Sequence, residues 1–173
     1  MQTRPQELET TNDLYHLFLN RDYIGGPSKV IAKRGTFIDI GGFDENLRIR
    51  EDWDIWIRMA KAKYKLGVLH KPLYNYIIRS DGSNLTRQSN TFWIYETYKL
   101  LRKYKHEVNK YPDLKEVFAE HLWKLARMLY YEKEDILFMV RLMAESQMLC
   151  PSLKRPLDSI RTSIKRPYEV QQA

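Results

Sequence analysis

The sequence predicts an α/β front half joined to an all-helical rear half, and three observations carry that prediction. All seven glycines, Gly25, Gly26, Gly35, Gly41, Gly42, Gly67 and Gly82, fall in the first half. Short aliphatic and aromatic runs bounded by glycine or proline, the pattern of strands, occur there too. Beyond Thr86 glycine disappears, and apolar residues recur at three- and four-residue spacing, as in helices that bury one face.

Taken in order, Leu8, Leu14, Leu17 and Phe18 predict a helix over Gln2–Leu19, closed by the turn formers Asn20-Arg21-Asp22. Ser28–Arg34 reads as a short strand. Turns carrying Gly35 and Gly41-Gly42 follow, and a helix begins near Asp52. Leu66–Leu69 and Leu73–Ile78 read as two strands separated by Pro72, with Asp81-Gly82-Ser83-Asn84 as a loop. Helical stripes then run over Phe92–Tyr104, Leu114–Leu129 and Ile136–Leu149. The middle one is the clearest, with Leu114, Val117, Phe118, His121, Leu122, Leu125, Ala126 and Leu129 along one face. Three prolines and several basic residues predict a mobile basic tail over 151–173.

A chain of 173 residues has room for one full domain of roughly 150 residues plus an appendage. With 43% hydrophobic and 29% charged residues it can build a core, which excludes wholesale disorder. The net charge of +7 favours anionic partners. Cys150 is the single cysteine, so an internal disulfide and a cysteine-based zinc site are excluded. The N-terminal residues have no apolar h-region, and no apolar run approaches the roughly 20 residues needed to cross a bilayer. The expectation is a cytoplasmic protein, touching a membrane at most from the cytoplasmic side.

The stretch richest in chemistry is Gly41–Ala60. On a helical wheel begun at Asp52, Trp53, Trp56, Ile57, Ala60 and Tyr64 form a stripe predicted to be buried. Asp54, Arg58, Lys61 and Lys65 form the opposite stripe, predicted to be solvated. Asp52 shares a face with Ile55, Trp56 and Met59, which sets its carboxylate at the start of the helix on the apolar side. Such a carboxylate serves either as a helix cap or as a general base at the mouth of a cleft. The positive helix end is expected to keep it ionised rather than raise its pKa, which suits a base better than an acid.

Gly41-Gly42-Phe43-Asp44-Glu45, followed by Glu51-Asp52-Trp53-Asp54-Ile55-Trp56-Ile57-Arg58, resembles the signature of family 2 glycosyltransferases of the GT-A fold. Ser28–Arg34 upstream and Leu73–Arg79 downstream resemble strands that flank that signature. The resemblance implies a partial GT-A domain lacking its N-terminal, donor-binding half. Residues 1–87 would be the acceptor-side portion, 88–150 a helical C-terminal region and 151–173 the tail.

The resemblance further implies transfer of a sugar, with inversion, from a nucleotide-sugar donor to a saccharide or lipid-linked saccharide acceptor. Asp52 takes the place of the catalytic base and Glu51 that of an acceptor ligand. Gly41 and Gly42 would allow close backbone approach, Trp53 would stack on a sugar ring, and Arg79 would contact diphosphate. A divalent cation, Mg or Mn, is implied for the intact enzyme, its ligand lying outside this chain. Asp52-Trp53-Asp54 is rejected as the metal motif because the helical period turns its two carboxylates to different faces.

The alternative reading is a non-enzymatic basic helical module that binds an anionic membrane surface or a protein partner. It rests on Arg102-Lys103-Tyr104-Lys105-His106 and on the basic residues interleaved with Leu153, Leu157, Ile160 and Ile164. Nucleic-acid binding rests on net charge alone and is the weakest reading. His121, on an apolar stripe, is read as a core histidine hydrogen-bonded to a neighbour.

Overall fold

The computed structural model describes residues 6–7, 14–68, 71–73, 75, 77 and 89–157. The front half holds α1 (Leu14–Asn20), a 3-10 turn (Pro27–Lys29), α2 (Arg34–Asp39) and α3 (Glu51–Lys61). Helices α4 (Asn90–Val108), α5 (Pro112–Glu132) and α6 (Ile136–Leu149) make the rear half. The strands are β1 (Gln6–Glu7) and β2 (Gly67–Val68), which pair antiparallel with Gln6 opposite Val68 and Glu7 opposite Gly67.

The three rear helices follow their apolar stripes. Ser89 caps α4 by accepting the Phe92 N–H, and Pro112 sits in the first turn of α5, where a missing N–H costs nothing. Lys133 in the left-handed region ends α5, and the Asp135 carboxylate starts α6 by accepting the Phe138 N–H at 2.9 Å. Leu114, Phe118, Leu122, Leu125 and Leu129 of α5 are buried against α4, α6 and the front half. Ser146 donates to the Ala119 carbonyl at 2.6 Å and locks α6 to α5. In the front half, α1 lies on α3, and the buried Trp53 indole N–H donates to the Phe18 carbonyl at 2.7 Å.

The expected α/β sheet is absent among the described residues, whose strands are two residues long. Ser28–Arg34 is a 3-10 turn and extended chain leading into α2, with Ile31 almost wholly exposed. A strand needs a neighbour to take its backbone hydrogen bonds, and among the described residues none pairs with this segment. Gly35 stands inside α2 rather than in a turn. Of the Leu66–Leu69 run, the described residues 66–68 contribute only β2, and Leu73, Asn75 and Ile77 carry no strand; Leu69, the rest of Leu73–Ile78 and the loop at Asp81 lie outside the described residues. Of the predicted first helix, Gln6 and Glu7 pair as a strand instead and α1 is helical, while residues 2–5 and 8–13 lie outside the described residues.

The start of the tail is also held. Gln147 and Ser152 exchange two hydrogen bonds of 2.9 and 2.8 Å, and Arg155 donates to the Cys150 carbonyl. Residues 158–173 lie outside the described residues.

Candidate functional site

Gly41 and Gly42 end α2. The Gly41 N–H donates to the Ile38 carbonyl at 3.0 Å and the Gly42 N–H to Phe37 at 2.7 Å, the paired bonds of a Schellman cap. Both glycines have positive φ, +82° and +70°, which side chains with a Cβ rarely adopt. Among the described residues, apart from the glycine itself and its chain neighbours, no atom lies within 4 Å of where a Cβ would stand at either position. Backbone conformation is therefore what demands glycine, and the space beside the turn is open.

The turn is fastened to α3 by Arg58. Its Nη1 donates to the Ile40 carbonyl and its Nη2 to Gly42, both at 2.7 Å, while Nε donates to Asp54 Oδ2 at 2.7 Å. Asp54 is fully buried, not solvated as the wheel predicts. Its second oxygen accepts from Tyr104 Oη and Lys103 Nζ of α4, each at 2.7 Å. Lys103 also reaches Asp44 Oδ2 at 2.7 Å, and that carboxylate orders the next turn by accepting the Asn46 N–H at 3.0 Å. Lys103 and two hydrogen bonds from Asn46 hold Asp44 down at about 2. Burial and the Asp54 charge push the Tyr104 phenol far up.

This network explains why the charged stripe is half covered. The period of α3 places Asp54 opposite Trp53 correctly, but only the folded chain lays α4 across that side. Asp54, Arg58, Lys103 and Tyr104 are the residues that sequence reasoning missed. The available signal was Asp54 and Arg58 at i, i+4, an ion-pair spacing.

The other end of the spacer is held by the first half of α4. The Arg48 N–H donates to Glu96 at 2.8 Å, and Glu96 in turn pairs with Lys99. Arg50, the residue before α3, has φ of 68°. Its guanidinium lies 5.1 Å from the Trp93 ring centroid and 5.9 Å from that of Trp53, and its Nε donates to Thr97 Oγ1 at 3.1 Å.

Asp52 follows in the first turn of α3, half-buried, with Oδ1 accepting the Trp53 N–H at 2.7 Å. It satisfies one of the orphan amides of the helix start without being the cap residue itself. The helix end alone predicts a carboxylate held low; here the direction is reversed. Burial, with the Asp22 charge adding to it, raises the Asp52 pKa against the pull of the Trp53 N–H and Arg50. Burial raises Glu51 as well, and the Asp52 charge adds to it. Asp22 is fixed by its own turn, accepting the N–H groups of Ile24 at 3.0 Å and Gly25 at 2.8 Å.

The structure thus brings Asp52 and Glu51 together beside Arg50, and ties the Gly41-Gly42 turn to the same helix. Trp53 is sealed in the core with its N–H committed to Phe18 and its ring edge-on to His121, so it offers no face to a sugar. His121 takes the core role, its Nε2 donating to the Asn20 carbonyl at 3.0 Å. Arg79 lies outside the described residues. Among the described residues no three His, Cys, Asp or Glu side chains are placed to hold a metal ion. The two carboxylates of Asp52-Trp53-Asp54 diverge, one half-exposed and one buried among cations.

Comparison with known protein families gives a match over residues 9–126 to the family described as glycosyltransferase like family 2. Neither the comparison with curated proteins nor that with solved structures gives a match. The family match covers more than half of the chain, the whole Gly41–Arg58 constellation and the helix that braces it, and the protein therefore belongs to the glycosyltransferase-like family 2.

Proposed function

We propose that this chain supplies the acceptor side of an inverting sugar transfer from a nucleotide-sugar donor to a saccharide hydroxyl, with Asp52 as general base. The observation that carries the reading is the Asp52 carboxylate itself, half-buried at the head of a rigidly braced helix, its pKa raised by burial. A base works best when its pKa approaches the operating pH, and desolvation moves Asp52 in that direction.

Asp52 takes the proton of the acceptor hydroxyl as the oxygen attacks the anomeric carbon, and the bond from that carbon to the nucleoside diphosphate breaks. Glu51, on the same turn, accepts a hydrogen bond from a second acceptor hydroxyl. The open space beside Gly41 and Gly42 admits the sugar against the backbone. The divalent cation implied by the family has no fitting ligand set among the described residues, and no step here runs through one.

The test is Asp52→Asn in the chain completed with a donor-binding half, assayed for release of nucleoside diphosphate from a panel of nucleotide sugars with saccharide acceptors. Loss of about 10²- to 10⁴-fold in rate, the range for removing a general base, is expected with the fold retained. Turnover equal to that of the unmodified chain overturns the assignment.

A further inference from the structure

Arg155 and its neighbours are arranged inside out. Leu153 is 83% exposed and Leu157 63%, whereas Arg155 between them is 8% exposed and turned inward. In water the favourable arrangement is the reverse, since each outward leucine forgoes roughly 2 kcal/mol of burial. On α6, Leu137, Val140 and Met148 are also exposed, at helical spacing. Apolar residues scattered singly on a surface are ordinary; a contiguous patch marks a contact.

The side chain of Arg155 lines a cavity of about 450 Å³ on the outer face of α5. Its other walls are Glu120, Trp123, Lys124, Arg127, Met128 and Tyr131. Among the described lining residues three are cations and one is a carboxylate, and the half-exposed Tyr131 beside them is of a type that settles at the boundary between water and lipid. None of them belongs to the candidate site around Asp52. No helix among the described residues is long and apolar enough to cross a membrane.

We propose that the end of α6, the segment 150–157 and the outer face of α5 form a docking face for an anionic lipid bilayer. A lipid phosphate enters the Lys124–Arg127–Arg155 cavity, and Leu153 and Leu157 insert among the acyl chains. Charge complementarity selects this occupant: the patch is flanked by cations on a chain of net charge +7.

The experiment is co-sedimentation of the full chain with phosphatidylglycerol–phosphatidylcholine vesicles and with pure phosphatidylcholine vesicles. The mixed vesicles bind the chain and the neutral ones do not. Leu153→Asp with Leu157→Asp weakens binding by more than about tenfold, Met148→Asp weakens it less, and Lys124→Glu with Arg127→Glu weakens it roughly fivefold or more per cation. Circular dichroism and melting temperature of the exposed-site variants match those of the unmodified chain. Ile31→Asp, on an exposed residue of the front half, is the control and leaves binding unchanged. Binding that survives the leucine substitutions, binding equally weakened by Ile31→Asp, or a leucine-dependent dimer in place of vesicle binding each overturns the proposal.

Discussion

The role proposed for Asp52 sets function against stability in a way that can be measured. Its pKa is raised by burial, so the native state binds the proton more tightly than the unfolded chain does. The stabilisation this gives is fully present below the ordinary value of 3.8 and is lost as pH rises through the folded pKa. Asp52→Asn, which cannot ionise, should therefore melt at a higher temperature than the unmodified chain at neutral pH, and the difference should shrink to nothing below pH 3.8. A variant that melts lower at neutral pH would show that the Trp53 N–H bond outweighs desolvation. Stabilisation together with lost turnover would mark a residue kept for chemistry rather than for folding.

Among the elements, α3 and α4 depend on one buried carboxylate. Asp54 gathers Arg58, Lys103 and Tyr104, and through Arg58 it fixes the carbonyls of the Gly41-Gly42 turn. Asp54→Ala leaves two cations and a phenol without their shared acceptor and should cost about 3 kcal/mol or more in urea unfolding. Tyr104→Phe removes one hydrogen bond and should cost only about 1 kcal/mol. Equal costs for the two would mean that the ion pairs contribute little beyond the phenol. The periodicity of Asp54 and Arg58 was readable as an i, i+4 pair, but their burial was not, because it is produced by residues some fifty positions away.

For the whole molecule, acid should weaken the contacts between the front half and α4. The Asp44 pKa is lowered to about 2 by Lys103 and Asn46, so its contribution is present above the ordinary 3.8 and is lost as pH falls towards 2. Asp44→Asn should flatten the loss of stability between pH 4 and 2 measured by denaturant unfolding. An unchanged slope would assign acid sensitivity elsewhere, with Glu107, held at about 2 by Lys61 and Lys110, the next group to replace. Both carboxylates tie α4 or its end to the front half, Asp44 through Lys103 and Glu107 through Lys61.

By itself the sequence determined the three long rear helices, the buried tryptophan stripe of α3, the Gly41-Gly42 turn and the family signature built around Asp52. These are local properties: an apolar period, a glycine pair and a run of residue types are complete within some twenty positions. Only the tertiary structure decided that Ser28–Arg34 is not a strand, that Asp54 is buried, that Trp53 is committed to Phe18, and that α4 braces the site. A strand exists only where a partner takes its hydrogen bonds, and a charge is buried only where other elements bring it counter-charges; both conditions are set by chain segments distant in sequence.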